Sequence, residues 1–333
     1  MFFTPGTAVF HYPDGVSEIG CGRRAHTLAG LTESQQDYLD SLRSDRNLSP
    51  RTRRARELGE DHAPLVDAMR RASFVTDTDT VGDDPEQRRV LLRDGHTRCL
   101  SARATAAITL RVHALPDPLF SPGLATFLDA LVDELTRAGF TRIAIVNATG
   151  ASVADLTCAM SPQWVQRLSE PSREPALTIP IFARTASGAA LTDLHLRGLD
   201  HLVVVRGEEE AQIGPYVRVG ITPCVECMDL HASSVDPQWV RRQRDSITQP
   251  APAISDTLDR LTALLLARAV SDIVDADTVV GYRASPSLRL LFAPGEVRFI
   301  DGDLSVERTL WEPHPHCTCR VSLLDPVPIS ERS

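Results

Sequence analysis

Two short cysteine pairs constrain this chain more than any other feature: Cys224-Val-Glu-Cys227 and Cys317-Thr-Cys319, separated by about 90 residues. Zinc favours four soft thiolates in a tetrahedron, and each short-spaced pair can supply one edge of it. Pro223 precedes the first pair, and the second sits in Trp311-Glu-Pro-His-Pro-His-Cys-Thr-Cys. The prolines stiffen both approaches and lower the cost of ordering the ligands. Such a site would close the second half of the chain into one domain. Four thiolates leave no open coordination position, so the expected role is structural. Three other readings stay open: four buried free thiols, a redox dithiol at Cys224 and Cys227, and His314 or His316 replacing one cysteine. Cys21, Cys99 and Cys158 stand alone and read as core or surface thiols.

At 333 residues the chain is long enough for about two domains. A net charge of −9 argues against a nucleic-acid binder, although a local basic patch is compatible with it. Lysine is absent, so every basic residue other than histidine is arginine. That excludes Schiff-base lysines, lysine nucleophiles and phosphate-gripping lysines. The first residues, MFFTPGTAVFHYPDG, lack the charged n-region and apolar run of a secretory signal. No window approaches the ~18 apolar residues of a membrane span. The expectation is a cytoplasmic protein whose seven cysteines serve a metal or lie buried, rather than forming disulfides.

Residues 1–75 read as a small module. Thr7–Tyr12 and Val16–Cys21 are β-capable runs on either side of the turn Pro13-Asp14-Gly15, and Arg24–Leu28 extends the pattern. Thr32-Glu33-Ser34-Gln35 fits a capping box opening a helix with Tyr38, Leu39 and Leu42 inward. Ser49-Pro50 starts a second helix, and Asp61 a third, with Leu65, Ala68, Met69 and Ala72 on one face. This is a winged-helix-like pattern. Residues 76–105 form a connecting segment, acidic then basic. Residues 106–325 read as an α/β domain. Ala106–Ala114, Thr141–Asn147, Leu177–Phe182 and His201–Val205 are strands; Leu124–Ala138, a stretch near Leu191–Arg197 and Leu258–Ile273 are helices. That alternation predicts a mostly parallel, doubly wound Rossmann-type sheet.

Three stretches carry a resemblance: Ile213-Gly-Pro-Tyr-Val-Arg-Val-Gly-Ile-Thr-Pro-Cys-Val-Glu-Cys-Met-Asp-Leu-His231, Asp236-Pro-Gln-Trp239 and Trp311–Cys319. Together they resemble actinobacterial ThiF-like proteins, relatives of the ubiquitin-activating enzymes. Within that group the chain is similar to proteins that bind the leader of a thiazole/oxazole-modified precursor peptide and present it to a YcaO-type cyclodehydratase. The resemblance covers about residues 200–320 by motif and 106–160 by fold pattern. It implies a structural zinc on Cys224, Cys227, Cys317 and Cys319, a leader-peptide partner, a cyclodehydratase partner and a possible homodimer.

An active ThiF-like enzyme needs a glycine-rich loop after its first strand, where backbone amides meet phosphate at a helix N-terminus. Here that stretch is Val112-His-Ala-Leu-Pro-Asp-Pro-Leu-Phe-Ser-Pro-Gly123. Each proline removes an amide donor. Asn147 stands where the resemblance places a ribose-holding acid, and no lysine can neutralise phosphate. ATP binding is therefore not expected. The ThiF-like adenylyltransferase reading stands as the rival.

The N-terminal module can bind a peptide or DNA. Arg51, Arg53, Arg54 and Arg56 form a basic run that suits DNA or a solvated helix face. An extended leader would instead add a strand to the small sheet beside the third helix. Arg24, His26 and Leu28 are the candidates for one wall, and Leu65, Met69 and Arg70 for the other. Arginines there suit an acidic leader. Met69 reads equally well as core.

Overall fold

The structure is a computed structural model and describes residues 2–3, 7–20, 25–42, 62–71, 75–76, 98–113, 121–148, 154, 157–247, 249, 253–278 and 295–320. The chain divides into two compact units, residues 1–101 with 279–289 and residues 102–278 with 290–333.

The first unit holds β1 (Phe2–Phe3), β2 (Val9–Tyr12), β3 (Val16–Ile19), β4 (His26–Leu28), α1 (Glu33–Ser41), α2 (Ala63–Arg71) and β5 (Val75–Thr76). β2, β3 and β4 form an antiparallel sheet in that order, and β1 pairs with β5. The Pro13–Gly15 turn works because Asp14 and Gly15 both take positive φ, 66° and 70°. A Cβ at Gly15 would lie 2.2 Å from the Leu31 carbonyl oxygen, so only glycine fits. The capping box of α1 forms as its sequence predicts. The Thr32 hydroxyl accepts from the Gln35 N–H, and the Gln35 side chain accepts from the Thr32 N–H. Alternation in β2 and β3 points Val9 and Ile19 inward. There they meet Tyr38, Leu39 and Leu42 near α1 and Leu65 and Met69 of α2. The second expected helix, at Ser49-Pro50, lies outside the described residues.

The second unit begins within α3 (Arg98–Thr105) and continues through β6 (Ala107–His113), α4 (Ser121–Arg137), β7 (Arg142–Asn147), α5 (Pro162–Val165), β8 (Leu177–Ala183), α6 (Thr192–Leu196) and β9 (His201–Arg206). It ends with β10 (Glu210–Val217), α7 (Val225–Val235), α8 (Trp239–Ile247), α9 (Asp256–Thr278), β11 (Glu296–Asp301) and β12 (Val306–Leu310). Seven strands form one sheet in the order β12-β11-β10-β9-β8-β6-β7. Ile108, Leu110, Val112, Leu177, Ile179, Ile181, Leu202 and Val204 point to one face, against α4 and α9. Phe182, Val203 and Val205 point to the other, against Leu191 and Leu194 of the α6 region. Among the described residues, no helix is long and apolar enough to cross a membrane.

The expected parallel sheet holds for β6 to β9 and not beyond. β9–β10, β10–β11 and β11–β12 are all antiparallel. For β9–β10 and β11–β12 the reason is connection length. Residues 207–209 join β9 to β10, and a parallel crossover needs a dozen or more. The outcome is a mixed sheet. An isolated parallel bridge from Leu168 to Ile143 marks a rudimentary neighbour outside β7. From there residues 169–176 return to β8 without a helix. The strand order reverses between β6 and β8, so the carboxyl ends of β6, β8 and β9 border the crevice where open α/β sheets bind ligands.

Candidate metal centre

The four cysteines of the sequence motif come together. Cys224 is the extended N-cap of α7, and Cys227 lies one turn inside the helix. Cys317 follows β12, with its N–H donating to the His314 carbonyl at 3.0 Å, and Cys319 lies in a short 3-10 turn. Gly295, at φ 77°, sits where both arms meet. A Cβ there would lie 2.4 Å from the Trp311 oxygen and 2.8 Å from Cγ of Pro223.

All four sulfurs lie within 4.8 Å of one another. Cys224 to Cys227 is 3.9 Å, Cys224 to Cys317 is 3.6 Å and Cys227 to Cys319 is 3.5 Å. A tetrahedron with metal–sulfur bonds of ~2.3 Å has edges of about 3.8 Å. The three separations straddle that value and are far from the ~2.05 Å of a disulfide. The donor set thus fits a metal ion in both chemistry and spacing.

Its electrostatics point the same way. The Cys227 thiol is lowered to about 4, first by the Cys224 thiol donating to it, helped by backbone N–H groups including that of His314. Cys224 is raised by that same shared hydrogen bond and by burial. Burial pushes Cys317 up to about 12 and also raises Cys319. Burial and the crowding of like charges oppose ionising all four thiols together, and a bound cation would offset that cost. The ligand atoms that cluster are the four cysteine sulfurs, as the sequence reading expected, and the alternative with His314 or His316 in place of a cysteine is not the arrangement formed. These imidazoles flank the site instead. His314 meets His231 edge-on at 4.7 Å, and His231 donates to the Glu312 carbonyl.

The crevice between β6 and β8 has a different character. His113 stacks on Phe182 with ring centroids 4.2 Å apart. Burial, assisted by Arg111, lowers His113 to about 4, so it is neutral near pH 7. Each arginine at the carboxyl ends of these strands already holds a carboxylate. Arg111 pairs with Asp193 at 2.5 Å, Arg184 with Glu208 at 2.6 Å and Arg206 with Asp259 at 2.6 Å. Arg206 also donates to the Gly123 carbonyl in the first turn of α4 and lies over the Phe127 ring. Sequence reading missed these pairs, whose partners stand 82, 24 and 53 positions apart. A charged residue inside an apolar strand, as in His201–Arg206, was the available signal. The proline-rich stretch 114–120 lies outside the described residues.

The proposed peptide-contacting residues fall in two places. His26 is exposed and Leu28 half-buried on β4, an edge of the three-stranded sheet. Leu65 and Met69 pack inside the unit's core at 6% and 0% exposure, so they hold α2 against the sheet rather than facing solvent. Arg24, the side chain of Arg70 and the arginine run 51–56 lie outside the described residues.

No family model matches the sequence, and no curated protein is detectably similar to it. Solved structures are. E. coli MccB superposes with a TM-score of 0.62 at 13% identity, covering 96% of each chain. The Microcin C7 biosynthetic enzyme MccB in complex with N-formylated MccA gives 0.60 at 11% identity, covering 96% of this chain and 99% of that one. A heterocyclase in complex with substrate and cofactor gives 0.61 at 14% identity, covering 96% of this chain but 39% of its own. At such identities the likeness shows a shared fold, the mixed α/β arrangement of MccB.

Proposed function

We propose that this chain captures a ribosomal precursor peptide through a winged-helix-like first unit and presents it to a separate YcaO-type cyclodehydratase, without itself performing chemistry. One observation carries the non-catalytic part. Arg111, Arg184 and Arg206, at the crevice where MccB-like sheets end, are each committed to a carboxylate, and His113 is neutral. A triphosphate brings about four negative charges and needs spare cations or amide donors to meet them. The loop sequence Leu115-Pro-Asp-Pro-Leu-Phe-Ser-Pro122 offers few donors. The partner part rests on the resemblance of Ile213–His231 and Trp311–Cys319 to proteins that present precursor peptides to a cyclodehydratase. Four thiolates without carboxylate or imidazole select zinc, in the structural role of tying α7 to the end of β12. His26 and Leu28 on β4 are the proposed edge for strand addition by the leader. A homodimer is compatible with this reading.

Fluorescence polarisation with a labelled leader peptide, beside duplex DNA over a salt series, tests the capture. Saturable, salt-tolerant peptide binding is expected. Binding of DNA alone, falling steeply with salt, would favour a regulator instead. ATP–pyrophosphate exchange in the presence of peptide is expected to stay at background, and turnover would make the chain an adenylyltransferase.

A further inference from the structure

Among the described residues, thirteen buried side-chain polar atoms have no hydrogen-bond partner, and six of them lie in one layer of the second unit. They are Thr109 Oγ1, Arg111 Nε, His113 Nε2, Thr178 Oγ1, His195 Nε2 and His201 Nε2. The sheet explains why they gather. Thr109 stands opposite Thr178 across β6 and β8, and Thr178 opposite His201 across β8 and β9. Side chains alternate along a strand, so these three, with Arg111 and His113, share the face that carries Phe182, Val203 and Val205. That is the face on which the α6 region packs. His195 belongs to α6, and its ring lies 5.3 Å from that of His201.

Hydrogen bonds made elsewhere do not relieve these atoms. His201 Nδ1 donates to the Leu199 carbonyl at 2.9 Å, which leaves Nε2 a bare acceptor. Arg111 spends a terminal nitrogen on Asp193 of α6 at 2.5 Å, and its Nε still lacks a partner. Few apolar contacts stand against them. α6 is a five-residue helix, and its segment sets the buried Leu191 and Leu194, with the partly buried Ala190 and Leu199, against the sheet. Leu196 of the same helix is 62% exposed. Stranding one polar atom costs about as much as burying one aliphatic side chain gains. Six stranded atoms therefore leave this layer weakly held. Lifting the segment returns them to water and gives up one ion pair, whose Asp193 is already half-exposed. The turn at Gly198, where the segment ends, stands in open space.

We infer that residues 186–199 form a strap that opens from the sheet while the rest of the unit stays folded, with Arg111–Asp193 as its latch. Opening uncovers the polar row Thr109–Thr178–His201. His113 and Phe182 lie at the carboxyl ends of β6 and β8, so the strap also gates the crevice there.

Native-state amide hydrogen exchange on the full chain tests this. The amides of Leu191, Arg197 and Leu199 bond within the segment and should exchange about a hundredfold faster than those of β8 and β9. Thr109→Val/Thr178→Val replaces two stranded hydroxyls with methyl groups of the same size, and should slow exchange in the segment about tenfold. Asp193→Asn weakens the latch and should speed it about fivefold. Segment amides as slow as those of β8, or a valine variant that leaves them unchanged or faster, overturn the strap. Slowing confined to other segments overturns it as well, because a different motion would then free the hydroxyls. An asparagine variant without effect overturns the latch.

Discussion

Replacing Cys227 with serine tests the metal centre where it is most sensitive. Cys227 is fully buried, lies 3.9 Å from Cys224 and 3.5 Å from Cys319, and is the thiol whose pKa the surrounding hydrogen bonds lower. Structural zinc contributes about 10–16 kcal/mol of apparent binding free energy at neutral pH. Shared over four ligands, one thiolate accounts for roughly 3 kcal/mol, or about a hundredfold in affinity. In a unit of this size each kcal/mol moves the thermal midpoint by about 2–4 °C. Cys227→Ser should therefore lower the midpoint by about 6–12 °C when zinc is supplied. With chelator present the two proteins should differ by under ~1 kcal/mol, since no metal bond remains to lose. The assay is thermal unfolding of both proteins with zinc and with chelator, alongside metal analysis expected to give one zinc per unmodified chain. An equal midpoint loss in both conditions would assign Cys227 to packing alone. An unmodified chain that folds without metal and ignores the chelator would refute the metal reasoning altogether.

Other outcomes follow from the buried charges and tight turns. Arg206→Met strands Asp259 in the interior and should cost about 3–5 kcal/mol by urea denaturation, whereas Arg206→Met/Asp259→Leu together should cost much less. His201, wholly buried with a pKa lowered to about 4 by burial, stays neutral in the fold but protonates near 6.5 once unfolded. Its contribution is full above pH 6.5 and is lost as pH falls toward 4. Between pH 7 and 5 it should remove about 2 kcal/mol, and His201→Leu should flatten the pH slope of stability, measured by denaturation at each pH, by that share while the similarly lowered His113 keeps its own. Gly295→Ala drives a Cβ into the Trp311 carbonyl and Pro223 from a left-handed backbone. It should lower both the thermal midpoint and zinc occupancy.

What the sequence revealed depended on how local the physics was. The cysteine pairs were legible because metal coordination fixes residue type and spacing within each arm. Ile143-Ala-Ile-Val146 and the 3.6-residue stripe of α4 were legible because burial imposes a period. β10, β11 and β12 escaped notice for the opposite reason. β11 buries Glu296 and Arg298 as a pair, and those charges break its apolar alternation. The period of α2 correctly marked Leu65 and Met69 as one face, but periodicity cannot distinguish a core-facing stripe from a groove wall. Arg103 and Asp275 are both fully buried and meet at 2.5 Å across 172 positions, a pairing decided only once α3 and α9 come together.

The separation between the two cysteine pairs also orders events during synthesis. Cys224 and Cys227 emerge from the ribosome some ninety residues before Cys317 and Cys319. At about 5–20 residues per second that is an interval of roughly 5–20 s. Throughout it, the first pair offers an ion only half a coordination shell. The parallel strands can assemble in that time, but β11 and β12 have not yet been made. Loading of the four-thiol site therefore comes last. An ion held by all four sulfurs records that translation has passed Cys319 and that the final strands have reached the sheet.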